Sequence, residues 1–405
     1  MTMQTLSALR GAPVSRRVLR FLGGRAPAVR VVPAVYGASA VFAAVTAVVT
    51  DLGPHREWGR IAAVVYGAGA VVALLPWGRR YRGALAALVL GGAVLLPLGV
   101  LVAAGQAQPE VWVVERAGAR LLEHGTPYLG PAGLGGGGYE AYNPYLPGMA
   151  LLGLPGVDPR LLFGAVLVVS LGLSGWLLRG RPVLGPLTVL AASPLVALPL
   201  VVGGDDLPVI GLVCLGLALA ARDRPGAAGV ALGVAATLKA TAWPALIVCL
   251  VLIAVRGTGA RRYGTAAAGL VALGVGLPAL VDPAGFMENA VRFPLGLAGV
   301  ASPAASPLPG RLLADLGPSG HAVAVVALGL AAVAMGAWLL ARPPLDVRAA
   351  AFRIAAGLLV AAALMPATRW GYLVYPAVLA AWAVLATRAR AYGGRREETR
   401  LCLVA

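Results

Sequence analysis

Residues 106–147 read QAQPEVWVVERAGARLLEHGTPYLGPAGLGGGGYEAYNPYLP. This is the longest polar interruption in the first half of a chain that is otherwise mostly apolar. It carries four of the eleven tyrosines, Tyr128, Tyr139, Tyr142 and Tyr145. With Asp158 just beyond, it carries five of the sixteen acidic residues. The pattern predicts a large loop held over a bilayer by the apolar segments on either side.

Those flanks set the class. The chain is 59% hydrophobic and 12% charged, where soluble domains carry about 25% charged residues. Apolar runs recur at close to the roughly 20 residues needed to cross hydrocarbon, and the alternation of a membrane β-barrel is missing. The expected fold is therefore all-α: a polytopic helical membrane protein. The net charge of +17 invites a nucleic-acid reading, but the arginines sit in short clusters between apolar runs, as the positive-inside rule expects. Membrane lipid, not nucleic acid, is the implied partner.

Twelve segments are expected, at 31–51, 61–77, 83–104, 161–178, 183–202, 207–221, 226–238, 241–255, 264–281, 321–341, 349–365 and 371–387. The short pair 226–238 and 241–255 reads as a broken hairpin, allowed where backbone faces protein or a wet cavity. Around the membrane domain 31–387 lie a basic tail, 1–30, and a second tail, 388–405, both expected in the cytoplasm. With the N-terminus inside, the inner segments hold 23 of 33 basic residues and four of the sixteen acids. The loops 105–160 and 282–320 then lie outside, together with residues 203–206, 239–241 and 368–372. A multi-pass cell-membrane protein with an extracytoplasmic site is the reading.

Within the loop, 109–125 reads as an amphipathic helix lying on the membrane, with Pro109 in its first turn and Gly125 at its end. Val114, Ala117, Gly118 and Leu121 form its apolar stripe at helical spacing. Glu110 falls in that stripe. Locally it is a first-turn acid favoured by the helix dipole; functionally, a carboxylate at such a position is a candidate base. Glu115, at the stripe's edge, is the second candidate. Asp205 and Asp206 either cap the next helix, with Pro208 in its first turn, or contact a sugar hydroxyl or a cation. Lys239 is the only lysine in the chain. It either snorkels or serves as a point charge for a phosphate. Arg369 opens a helix against the macrodipole, and an anionic ligand is the expected counterpart. Trp370, Tyr372 and Tyr375 suit an aromatic belt. Gly135 to Gly138 form either a gating loop or a slack connector. Cys214, Cys249 and Cys402 lack redox or metal spacing, and His55, His124 and His321 make no zinc motif. No metal ligand set and no cofactor motif emerges.

Taken in order, these motifs resemble the membrane glycosyltransferases of the GT-C superfamily, and within it family 87, the polyprenol-phosphate-mannose-dependent mannosyltransferases of actinobacteria. That family's first outer loop runs as an acid, an aromatic-rich helix, a G-x-PY turn and a YPP-like re-entry. Here these are Glu110 to Arg120, then His124-Gly125-Thr126-Pro127-Tyr128, then Tyr142-Asn143-Pro144-Tyr145-Leu146-Pro147. Asp205-Asp206 matches an acidic helix opening, Ala228-Gly229 through Gly233 to Lys239 and Pro244 a later motif, and Arg369-Trp370-Gly371-Tyr372 the last outer one. The likeness covers roughly residues 100–385. One departure is the glutamate at 110 where the family usually has aspartate, which keeps Glu115 beside Glu110 as a possible base.

The resemblance implies an inverting transfer of a hexose, mannose by analogy, from a polyprenyl phosphate to a lipid- or glycan-linked acceptor. A single carboxylate, Glu110 or Glu115, would be the base. Lys239 and Arg369 would hold the donor phosphate, and His124, Tyr128, Tyr142, Asn143, Asp205, Asp206 and Tyr372 would line the substrates. The donor brings its own leaving group, so neither metal nor cofactor is implied. Two rivals are a twelve-segment secondary transporter, for which midplane polar sites and inverted repeats are missing, and a non-catalytic lipid- or glycan-binding member of the same fold.

Overall fold

The computed structural model describes residues 28–179, 190 and 192–386. The expected tails, apart from residues 28–30, and most of the first half of the segment expected at 183–202 lie outside the described residues. Among the described residues thirteen principal helices follow in chain order: α1 (Ala28–Val49), α2 (Gly53–Leu74), α3 (Arg82–Ala103), α4 (Pro109–His124), α5 (Pro159–Arg179), α6 (Pro194–Val202), α7 (Leu207–Ala221), α8 (Pro225–Leu238), α9 (Trp243–Arg256), α10 (Ala260–Val281), α11 (Pro318–Ala341), α12 (Val347–Leu364) and α13 (Trp370–Ala386). Extended backbone pairs among the described residues only at an isolated bridge between Ala305 and Thr368. The molecule is an all-α polytopic membrane protein.

Seven of these helices, α1, α2, α3, α5, α10, α11 and α12, are long and apolar enough to cross a bilayer; α7, α8, α9 and α13 are apolar but shorter. The expected onset at 61 is corrected to Gly53. Pro54 occupies the first turn, where its missing N–H costs nothing. His55, Arg56 and Glu57 are then carried on helix that a hydropathy scan cannot see. The broken hairpin is borne out as a break at Lys239, whose backbone is extended (φ −149°, ψ 146°) between α8 and a 3-10 turn, Ala240–Ala242.

The core lies among α5, α7, α8, α9, α12 and α13. There Leu207, Ile210, Leu217, Leu232, Leu252 and Ile354 are fully buried. The outer helices show large apolar side chains instead: Val48 is 83% exposed and Leu280 80%. Apolar surface on this scale is tolerated where lipid, not water, is the neighbour. Small residues bring the inner helices close. A β-carbon on Gly229 of α8 would stand 2.4 Å from the Tyr263 carbonyl oxygen on α10. This is the small-residue packing of membrane helices.

Two prolines shape the long helices. Pro97 and Pro278 each follow a π-helical stretch, Gly91–Leu95 and Ala272–Gly276. A wider turn relieves the clash between the ring and the preceding turn. Pro97 has no N–H to offer the carbonyl four residues back, that of Ala93, and the buried Trp58 indole on α2 donates to it at 2.9 Å.

Helix α4 forms where expected, but its apolar stripe is not free to lie in a membrane surface. Its cap is as the sequence implied, with Gly125 left-handed at φ 72°. Its stripe, however, is buried against protein. Val114, Ala117 and Gly118 pack on a 3-10 turn, Pro147–Gly153. The approach is backbone to backbone. A β-carbon on Gly118 would stand 2.1 Å from the Gly153 carbonyl oxygen, and one on Gly153 would stand 1.9 Å from that of Val114. An amphipathic stripe is equally suited to lipid or to protein, and here the rest of the loop supplies the apolar partner.

Candidate active site

Helices α7 and α8 are neighbours joined by a tight turn at 222–224, in which Asp223 is left-handed at φ 52°. They run 15 and 14 residues, about 21–22 Å at 1.5 Å per residue. The start of one therefore lies level with the end of the other, and Asp205 and Asp206 meet Lys239. The Lys239 ammonium Nζ lies 3.1 Å from Asp205 Oδ2 and 2.5 Å from Asp206 Oδ1. Asp206 has no side-chain cap bond to α7; its carboxylate also accepts from the Tyr375 hydroxyl at 2.8 Å. That hydroxyl lies 2.7 Å from Thr241 Oγ1.

Around the ammonium stand two aromatic rings. Tyr145 lies with its centroid 5.2 Å from Nζ, and Tyr372 at 5.9 Å, within cation–π range. Burial works to lower the Lys239 ammonium, but the carboxylates of Asp205 and Asp206 outweigh it and hold the group well above the usual lysine range. Lys239 therefore stays charged and is no proton acceptor.

The second half of the cluster is an ion pair between Arg369 Nη1 and Glu110 Oε1. Where an anionic ligand was expected at Arg369, the structure places a carboxylate of the chain itself. Glu110 enters from the first turn of α4, and its side chain is 14% exposed; that of Arg369 is 37% exposed. Tyr145 and Tyr372 join the two halves. Tyr145 interacts with both Asp205 and Glu110, and Tyr372 with both Lys239 and Arg369. Burial, reinforced by those two carboxylates, pushes the Tyr145 phenol well above its ordinary range.

The loop is set over this cluster by fixed backbone contacts. Gln108 bonds the end of α6 twice, from its N–H to the Val202 carbonyl at 3.0 Å and from its Nε2 to that of Gly203 at 2.9 Å. Gly203 is left-handed (φ 109°), and a β-carbon there would stand 2.0 Å from Val111 Cγ2. Below, Arg160 is buried and bonds Asp158 at 2.7 Å and the Gln106 carbonyl at 2.6 Å.

Of the residues expected at the site, Glu110, Arg369, Lys239, Asp205, Asp206 and Tyr372 converge. The others are placed elsewhere. Glu115 is exposed on α4. His124 has its side chain 66% exposed, 3.9 Å from Glu123. Tyr128 is buried and donates to the Tyr145 carbonyl at 2.8 Å, edge-on to Phe286. Tyr142 stacks on Phe293 at 4.6 Å. Asn143 accepts from the Tyr145 N–H, donates to the Pro127 carbonyl, and gives its own N–H to Asn289 Oδ1. Through these contacts Tyr128, Tyr142 and Asn143 fasten the first loop to residues 286–293.

Sequence reasoning missed Tyr145, Tyr375, Thr241 and His55. Tyr145 stood in the quoted motif without a role. Tyr372 and Tyr375 are three apart and share a helix face, a signal that reading them as an interfacial belt obscured. His55, in the first turn of α2, interacts with Arg369, and its Nδ1 is buried without a partner. Among the described residues no three His, Cys, Asp or Glu side chains converge as a metal site.

A family model described as Glycosyltransferase family 87 matches residues 145–368, more than half of the chain. No curated protein and no solved structure matches.

Proposed function

The chain belongs to glycosyltransferase family 87 and is a membrane glycosyltransferase; we propose that it moves a hexose, mannose by resemblance, from a polyprenyl phosphate to a lipid- or glycan-linked acceptor on the extracytoplasmic face. The observation that supports this is the meeting of Glu110 with Arg369, and of Lys239 with Asp205 and Asp206, at one end of the bundle from four distant parts of the chain.

In this reading the Glu110 carboxylate takes the proton from the acceptor hydroxyl. The acceptor oxygen forms a bond to the anomeric carbon as the bond from that carbon to the phosphate oxygen breaks. The electron pair leaves with the phosphate, and the configuration at the anomeric carbon inverts. The products are glycosylated acceptor and polyprenyl phosphate. The leaving group departs as an anion, so no acid need protonate it, unlike the paired carboxylates of glycoside hydrolysis. Arg369, the more exposed cation, takes the phosphate and the charge it gains. Lys239, bracketed by two carboxylates, holds Asp205, Asp206 and the flanking tyrosine rings in place. The sugar is activated by its own phosphate, and the mechanism assigns no cofactor and no metal.

The test is transfer in membranes supplied with polyprenyl-phosphate mannose. Glu110→Gln is expected to lower it by about 10²–10⁴-fold, the contribution of a positioned base, at unchanged expression. Glu115→Gln is expected to leave it near wild type. Full activity in Glu110→Gln with loss in Glu115→Gln would move the base to Glu115; full activity in both would remove the mechanism.

A further inference from the structure

Resting on that reading, we infer that the Glu110–Arg369 ion pair is a latch: donor phosphate must draw Arg369 away before Glu110 can act as a base. In the structure the guanidinium is bonded to the very carboxylate that has to accept the acceptor's proton. An oxygen held in a charge-assisted bond to a guanidinium, as Oε1 is here, is occupied and not open to the acceptor hydroxyl. It is freed only when another anion takes the cation.

The geometry suits an exchange by side chain alone. The Arg369 backbone is pinned on both sides. The Thr368 N–H donates to the Ala304 carbonyl at 2.9 Å, the Ser306 N–H to the Thr368 carbonyl at 2.9 Å, and the Trp370 N–H to Ser306 Oγ at 3.1 Å. Glu110 is held two residues earlier in the chain by the Gln108 bonds to Val202 and Gly203. Between two fixed backbones the long Arg369 side chain is the part free to turn. At 37% exposed, it is open to an incoming anion, where Lys239 at 12% and between two carboxylates is not.

The incoming group is an anionic phosphate carried on a polyprenyl chain. It exchanges one oxyanion for another at Arg369 and so changes the net charge on the guanidinium's partners little. After transfer the leaving phosphate carries the added charge and keeps Arg369, while Glu110 holds the acceptor's proton. When the phosphate departs, Glu110 passes that proton to solvent and Arg369 returns to it. The order is donor first, with the base masked whenever the site lacks one.

The probe is farnesyl phosphate, which carries phosphate and prenyl chain but no sugar and so leaves the hexose space open to a reagent. The full-length protein in detergent is treated with a water-soluble carbodiimide and glycine amide, and modification of Glu110 is read by mass spectrometry. Saturating farnesyl phosphate is expected to raise Glu110 modification several-fold while exposed Glu115 stays constant. Arg369→Gln is expected to leave Glu110 highly modified with or without the probe. Modification of wild-type Glu110 that stays level or falls, or that stays low in Arg369→Gln, would overturn the latch. If transfer survives Glu110→Gln, the functional reading itself has failed; if transfer needs Glu110 but the probe leaves its reactivity unmoved, the latch alone has.

Discussion

Lys239 and Arg369 are both cations at one end of an apolar bundle, yet their partners assign them different work. Lys239 is buried against two carboxylates, and removing one member of a buried ion cluster leaves charge with no compensation. Lys239→Met is therefore expected to destabilise the fold by about 3–5 kcal/mol, seen as a lowered thermal unfolding midpoint in detergent. Arg369→Gln, which removes a more exposed cation and one ion pair where Lys239 has two, is expected to lower that midpoint less while removing transfer. If the two variants unfold alike, the division of labour between the cations is wrong. The same comparison bears on Asp205 and Asp206, which spend their oxygens on Lys239 and Tyr375 and not on capping α7.

At the scale of elements, the decisive contact is α4 on the 147–153 turn. Together with the Gln108 bonds to the end of α6, it sets where Glu110 points. Gly118→Ala puts a methyl 2.1 Å from the Gly153 carbonyl oxygen, where the obstacle is backbone and no side chain can give way. Overpacking of this kind costs about 1–3 kcal/mol. A lower unfolding midpoint together with reduced transfer is expected, since the helix that must shift also carries the base. Unchanged stability in Gly118→Ala would mean that α4 is less tightly seated than the structure has it. The reciprocal glycines could not be matched from sequence alone. Gly118 was legible as part of a stripe, but nothing local says that its partner lies 35 residues on.

Among the described residues the large polar clusters lie at one end of the bundle and arginine-bearing turns at the other. From the charge asymmetry of the loops we propose that the cluster end faces the extracytoplasmic side. In cells, in a Cys402→Ser background with Cys214 and Cys249 buried, an impermeant maleimide is expected to label Glu123→Cys without lysis and Arg261→Cys only after it. The reverse pattern would invert the topology and place the site where nucleotide sugars are at hand, which would undo the choice of donor.

Hydropathy, arginine spacing and the order of short motifs were enough to establish a helical membrane bundle and to bring Asp205, Asp206 and Lys239 to one end, because helix length and loop charge are local quantities. Glu110, Arg369 and Tyr372 were likewise legible as candidates, since charge and polar aromatics at helix ends in an apolar chain need a reason. What the tertiary structure alone decided is who meets whom. It paired Arg369 with Glu110 across 259 positions, seated α4 on protein instead of lipid, and turned Tyr128, Tyr142 and Asn143 into fastenings for a loop. A side chain's chemistry is written in its own residue, but its partner is fixed by packing between segments far apart in the chain.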